Sequence, residues 1–482
     1  MSFTSLPFFA FCAVVLILYW IVQRKEWQNI VLLAASLVFY GWIQPWYAIL
    51  LGLSTTLDYF LARGMLRFRD RTRVLLYVSL FLNIGVLAFF KYFNFFNADL
   101  AARLGQLGLN GDIFLVSIVL PAGLSFYTLK KLGYILDVSR GTLKPVENFV
   151  DFAVFVAFFP QIISGPIDRA QKLMPQISSA RVWKSDYFSS AWQLLLMGLF
   201  KKIVIADTVK SIVDRIFSLQ APSKLLVAIS ALGFTLQILA DFSAYTDISR
   251  GVARLFGIET SENFHTPYLA LTPSEFWNRW HITLSSFLRD YIFFPLRRAL
   301  IRKRSLPAWL VNAIPPLVTM FVSGIWHGAG WTYLVWGLYY GFLIVAYQQV
   351  PGGSAGIQGD MRPVGSKLAC ALWVGKLKNF LAWLLMFSLV VFGWLIFRAP
   401  SIEWLVKALF VFPWISTSQD FIVALFILSM LLAYSAPLVL KFGMDRYLSE
   451  SSWWFAIYFA LITIIIIVYI NSSTPDFIYF QF

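Results

Sequence analysis

Charge is scarce in this chain. Lys, Arg, Asp and Glu together make up 13% of the 482 residues, against about 25% in soluble domains, which excludes an ordinary soluble globular protein. Cysteine is nearly absent. Cys12 and Cys370 are the two present, both in apolar surroundings, too few for a disulfide framework and without a CxxC pair. Histidine is almost as rare, at three residues. His265, His281 and His327 lie 16 and 46 positions apart with no H-x-x-x-H pair, so no metal centre is expected, since such a site needs several converging ligands. The sequence also lacks a Walker A loop, a Rossmann glycine fingerprint and a G-x-S-x-G elbow, which removes bound nucleotide phosphates and a serine nucleophile from the chemistry to consider. Neither an H-x-x-x-x-D pair nor a D-x-D triplet occurs. No linker separates soluble domains, and no internal repeat is evident, an absence that argues against the repeat-built transporter folds.

What fills the chain instead is hydrocarbon. Hydrophobic residues make up 59%, and the mean hydropathy is +0.72. A helix needs about 20 mostly apolar residues to cross a bilayer. FFAFCAVVLILYWIV, VLLYVSLFLNIGVLAFF, FLAWLLMFSLVVFGWLIF and WWFAIYFALITIIIIVYI all approach that length. With weaker stretches included, about ten to twelve spans are expected, in an all-α polytopic membrane protein. A β-barrel would show alternating segments instead. The first run has no basic stretch before it and is followed by Arg24-Lys25, so it reads as a retained helix with that pair on the cytoplasmic side rather than a cleaved signal peptide. The net charge of +15 gathers in RGMLRFRDRTR from Arg63, in Lys201-Lys202 and in RRALIRKR from Arg297. Such clusters are expected beside anionic membrane lipid, and a nucleic-acid partner is not expected. A basic connecting loop is expected over residues 165–190, and a flexible polar loop over PGGSAGIQGDMRP from Pro351. The whole chain, 1–482, is read as one integral-membrane domain.

Against that background VSGIWHGAGWTYLVWG, from Val322, stands out. An ionisable side chain in hydrocarbon is costly and faces a protein interior or a wet cavity, so His327 is a functional candidate by default. Gly324, Gly328 and Gly330 clear space around it for a close backbone or a substrate. A neutral imidazole suits a general base near neutral pH. The plainer alternative is a histidine hydrogen-bonded between helices. A second histidine lies in SEFWNRWHITLSSFLRDYIFFPL. The spacing predicts one amphipathic helix capped by Ser274, with Trp277, Trp280, His281, Leu284, Leu288 and Tyr291 on a shared face. Pro295 is expected to end or kink it. His281 then faces inward as a second proton-transfer group, a hydrogen-bond donor to an acyl carbonyl, or a structural partner of the aromatic face. His265, before a Thr-Pro pair, reads as a loop residue. Asp241 and Tyr245, four apart in ADFSAYTDISR, share a helical side and either line a substrate path or bond to neighbouring helices.

Seven segments in chain order resemble the membrane-bound O-acyltransferase superfamily, in its bacterial polysaccharide-modifying branch. They are LPAGLSFYTL, FFPQIISGPIDR, GLFKKIVIAD, ADFSAYTDISRGVARLFGI, FWNRWHITLSSFLRDYIFFPL, FVSGIWHGAGWTYLVWGLYYG and VFGWLIFRA, spread over most of the sequence. The resemblance implies a ring of tilted helices around a central tunnel. The family's histidine in its W-H-G context falls on His327 and is implied to be catalytic. The family position that holds histidine or asparagine after W-x-x-W falls on His281, implied to assist. Trp326, Asn278, Trp280, Asp241, Tyr245 and Ser323 are the residues expected along the tunnel.

The same resemblance implies O-acetyl transfer from acetyl-CoA, with no bound cofactor. The acetyl group would cross a bacterial inner membrane to an extracytoplasmic SGNH-type partner and reach an exported polysaccharide such as alginate. D-alanyl transfer to teichoic acid is the alternative within the same chemistry, followed by acylation of a lipid or protein. A transporter or scaffold that uses His327 structurally is the alternative from another class.

Overall fold

Prolines and short polar residues punctuate the apolar runs into helices. Pro7, Pro45, Pro273 and Pro295 each sit in the first turn of a helix, where the missing N–H has no partner to lose. Asn148 accepts from the backbone N–H groups of Val150 and Asp151, and Ser401 accepts from that of Trp404, each capping a helix start. The computed structural model describes residues 1–106, 118–303, 305–349, 369–449 and 452–470. The polar stretch from Pro351 and the surroundings of Cys370 lie outside that description. The chain gathers into two compact units, one of them Met1–Leu199 with Ala244–Ser261, the other Phe200–Ser243 with the described residues from Glu262 onward.

The first unit contains α1 (Leu6–Ile21), α2 (Lys25–Gly41), α3 (Pro45–Arg67), α4 (Thr72–Gln106), α5 (Leu124–Ser139), α6 (Phe149–Ala157), α7 (Ala170–Ile177) and α8 (Ser185–Leu199). Buried polar clusters tie its helices together. Asp58 of α3 accepts from Ser79 at 2.6 Å and Asn83 at 2.9 Å on α4, and meets Lys131 of α5 at 3.2 Å. The basic loop expected over residues 165–190 is instead partly helical and partly core. Arg181 is buried. Its guanidinium donates to Tyr19, Asn29 and the carbonyls of Ile177 and Ser179. These four acceptors around a guanidinium explain why a cation belongs inside here.

The second unit contains α9 (Asp207–Phe217), the first part of α10 (Lys224–Leu255), α11 (Pro273–Arg279), α12 (Ile282–Leu288), α13 (Phe294–Arg302), α14 (Ala308–His327), α15 (Trp331–Gln348), α16 (Ala369–Arg398), α17 (Ile402–Phe410), α18 (Ser418–Tyr447) and α19 (Trp453–Tyr469). Lys202 corrects a second expectation. It is not a surface charge beside lipid but a buried cation 2.8 Å from Asp207 and 2.9 Å from Asp241. In a low-dielectric interior a lone ammonium would be very costly, and two carboxylates offset that cost. Pro315 and Pro316 remove two backbone donors from the α14 ladder, and the Thr319 hydroxyl bonds one turn back to the Pro315 carbonyl at 2.7 Å.

Among the described residues, six helices are long and apolar enough to cross a bilayer, within Arg69–Asn97, Ser185–Phe217, Lys224–Leu255, Ala308–His327, Lys376–Arg398 and Ser418–Tyr447. α1 and α19 are shorter apolar helices. Phe81, Leu53 and Leu432 are among many large apolar side chains on the outside. Such a surface would aggregate in water and is at home only against hydrocarbon. The protein is an all-α, multi-pass membrane protein.

α14 and α15 form the closest pair of the second unit. A Cβ on Gly337 would lie 2.4 Å from the Met320 carbonyl oxygen and 3.2 Å from the Gly324 Cα, so only glycine permits this approach. Gly337→Val should therefore separate the pair, at an overpacking cost of about 1–3 kcal/mol, and lower the thermal unfolding midpoint of the purified protein. Gly443→Ala, inside α18 and meeting open space, should not lower it, since alanine is the better helix former. Equal midpoints for wild type and Gly337→Val would contradict the packing described.

Candidate active site

His281 sits where a helix stops and restarts. α11 is capped by Thr272, whose side chain accepts from the Glu275 N–H at 3.1 Å, not by Ser274 as the spacing suggests. Ser274 instead follows Pro273 inside the first turn. The helix ends at Arg279. Trp280 is extended, and His281 takes a left-handed conformation with φ 43° and ψ 52°. α12 begins at Ile282 and runs into a π-helical segment, Arg289–Phe293. The single continuous helix expected across this stretch is thus a broken one. Pro295 does not end it, since the helical backbone runs on through the π-helical segment into α13, where Pro295 is the second residue. A left-handed non-glycine residue costs about 1–2 kcal/mol, so the break is a built feature that surrounding contacts maintain.

The break aims the His281 ring away from its own helix. The ring packs edge-on to Phe242 at 4.7 Å between centroids and against Trp326 at 6.0 Å. His327, the last residue of α14, packs against the same Trp326 at 5.0 Å. Trp336 at 4.9 Å and Phe397 at 5.7 Å complete its aromatic walls. His281 is 0% and His327 5% exposed, so bulk water reaches neither freely. Two imidazoles from distant parts of the sequence therefore share one tryptophan in one interior.

His327 has a defined orientation. Its Nδ1 lies 2.7 Å from the backbone carbonyl oxygen of Ser323. A carbonyl has no proton to give, so the neutral ring carries its proton on Nδ1 and keeps the lone pair on Nε2. One turn of α14 thus selects the tautomer. One turn back along α14, Ser323 lines a cavity of about 160 Å³ whose walls also include Trp277, Asn278, Ser285, Arg289 and Thr319; neither histidine is part of its lining. Ser323 both lines this cavity and holds the histidine. The Asn278 side-chain Oδ1 accepts from Arg289 at 3.3 Å.

The other expected residues divide. Asn278, Ser323 and Trp326 stand at the histidines or the cavity. Trp280 is buried behind them, 4.7 Å from Trp394 and 5.7 Å from Phe276. Asp241 is engaged by Lys202, and Tyr245 stacks on Phe3 at 4.9 Å within the first unit. His265 is exposed in its loop, its backbone N–H donating to the Arg279 carbonyl.

Comparison with known proteins bears on what such a site does. Residues 146–352 match the family described as MBOAT, membrane-bound O-acyltransferase family. The chain is 34% identical to the probable alginate O-acetylase AlgI of Pseudomonas aeruginosa, over 84% of this chain and 73% of that protein. It is 30% identical to the peptidoglycan O-acetyltransferase of Helicobacter pylori, over 84% of this chain and 78% of the relative. The teichoic acid D-alanyltransferase of Bacillus subtilis is 30% identical over 47% of this chain and 58% of its own length. The chain belongs to the membrane-bound O-acyltransferase family. It is an O-acyltransferase enzyme.

Within this membrane-bound O-acyltransferase, sequence reasoning left Trp336, Phe397 and Arg289 without roles. All three lie inside the seven family-like segments, but aromatic residues are so common here that spacing alone did not separate a ring beside His327 from ordinary core. The tautomer gives a direct check, because three histidines are few enough to resolve. In ¹⁵N-histidine-labelled protein, the signals lost in His327→Gln should show a protonated Nδ1 and an unprotonated Nε2. The reverse assignment would mean that Ser323 does not hold the ring.

Proposed function

We propose that this enzyme moves an acetyl group from acetyl-CoA, taken from the cytoplasmic side of a bacterial inner membrane, toward the O-acetylation of an exported polysaccharide such as alginate. The observation that carries this reading is the His327 imidazole, fixed by Ser323 with Nε2 as its basic nitrogen. In this reading Nε2 takes the proton of an acceptor hydroxyl as its oxygen attacks the thioester carbonyl. The new C–O bond forms, the C–S bond breaks, and the imidazolium returns its proton to the departing thiolate. The Nδ1–H bond to Ser323 stabilises the imidazolium while it exists, as an acceptor behind a catalytic histidine does elsewhere. His281, which packs on the same Trp326, positions the acyl carbonyl or assists the proton transfer. Asn278 and Ser323 line the approach used by the donor.

Acetyl is preferred over D-alanyl because the relatives named for acetyl transfer align over 84% of the chain, whereas the D-alanyltransferase aligns over 47%. The named acceptors of the first two, alginate and peptidoglycan, are both hydroxyl-rich glycans. An SGNH-type extracytoplasmic acetyltransferase is the proposed partner that completes delivery to the glycan.

The decisive experiment is His327→Ala in the producing cell. The variant should reach the membrane at wild-type level while the exported glycan loses its acetyl esters, with the rate down by about 10²–10⁴-fold for a removed general base. Acetylation that persists at the wild-type rate would show that His327 is not the base.

A further inference from the structure

Helix α12 begins without a cap from its own N-terminal residue. His281 occupies the N-cap position, yet its side chain makes no capping bond. The ring is packed on Phe242 and Trp326 instead. The first N–H groups of any helix need acceptors from outside it, usually supplied by Ser, Thr, Asp or Asn at the cap. Here an asparagine supplies them from the preceding loop. The Asn263 backbone carbonyl accepts from the Ile282 N–H at 3.0 Å. Its side-chain Oδ1 accepts from the Thr283 N–H at 3.2 Å and from the Thr283 hydroxyl at 2.7 Å. Asn263 is fully buried, so water cannot replace it. Two further links hold the same loop to the break, a bridge between Phe264 and Trp280 and the bond from the His265 N–H to the Arg279 carbonyl.

We infer that Asn263 is a positioning residue for acyl transfer, capping α12 in place of His281 so that the imidazole is turned into the site. The reason is competition for the same donors. A polar side chain at an N-cap bonds back to the nearest unpaired N–H when nothing else does. With Asn263 in place, those donors are already satisfied, and the left-handed backbone at His281 points the ring toward Phe242 and Trp326. Without that side chain the buried Thr283 N–H loses its acceptor, and the His281 ring at the N-cap position is drawn to supply one. The inference rests on the reading of His281 as a participant in the reaction.

The test is a double-substitution cycle read as CoA release from acetyl-CoA by membranes of the producing strain. Asn263→Ala should lower the rate by about tenfold to a hundredfold, the scale of a misplaced reacting group. In a His281→Ala background the same change should cost less than about twofold, because two residues acting as one unit are not additive. An equal factor in both backgrounds would overturn the inference and make Asn263 a general structural residue. If Asn263→Ala accumulates poorly, Asn263→Asp carries the comparison, since it keeps an acceptor oxygen for the Thr283 N–H. It should hold the wild-type rate to within about twofold, and a loss of about tenfold or more counts against the inference. Full activity of His281→Ala on its own would overturn the role given to His281, an outcome that leaves His327 and the acyl-transfer reading standing.

Discussion

Backbone that leaves a helix in an apolar interior must find every hydrogen bond within the protein, and this constraint governs the site. The chain leaves regular helix at Trp280–His281, and the departure is matched by specific partners. Asn263 and the Phe264–Trp280 bridge supply them. Unpaired, each open N–H or C=O would cost as much as a lost hydrogen bond or more. These partners hold the element that carries His281.

A second layer of fixation comes from close packing. Gly324 and Gly337 bring α14 and α15 into backbone contact, and α15 then supplies Trp336 to the wall of His327. The bond from His327 to Ser323 is intrahelical, so the tautomer follows from the helix itself and needs no separate partner. By contrast Lys202, Asp207 and Asp241 spend charge on structure. Their value lies in holding α10 near the π-helical turn before α9, next to Phe242, which packs on His281.

Much of this was legible in the sequence. Composition and apolar runs established a helical membrane protein, and rarity alone drew attention to His327. The glycines around it correctly signalled a close approach of backbones. Periodicity misled at Trp277 to Tyr291, because a three-and-four spacing is kept by two short helices as well as by one long one. No local signal marks a left-handed histidine whose cap lies in the preceding loop. The charged residues misled for a related reason. Lys202 and Arg181 look like surface cations in a one-dimensional reading, since their partners, Asp241 and Asn29, are far away in sequence.

The left-handed backbone at His281 restricts its occupant before any chemistry is considered. Among residues with a side chain, asparagine, aspartate and histidine tolerate that region best, and β-branched residues tolerate it worst. The family resemblance implies histidine or asparagine at this position, and those two share little as acids or bases. They do share ease in the αL conformation. The alphabet permitted there is thus set first by a torsion angle, and the choice within it sets what the side chain can offer an acyl group.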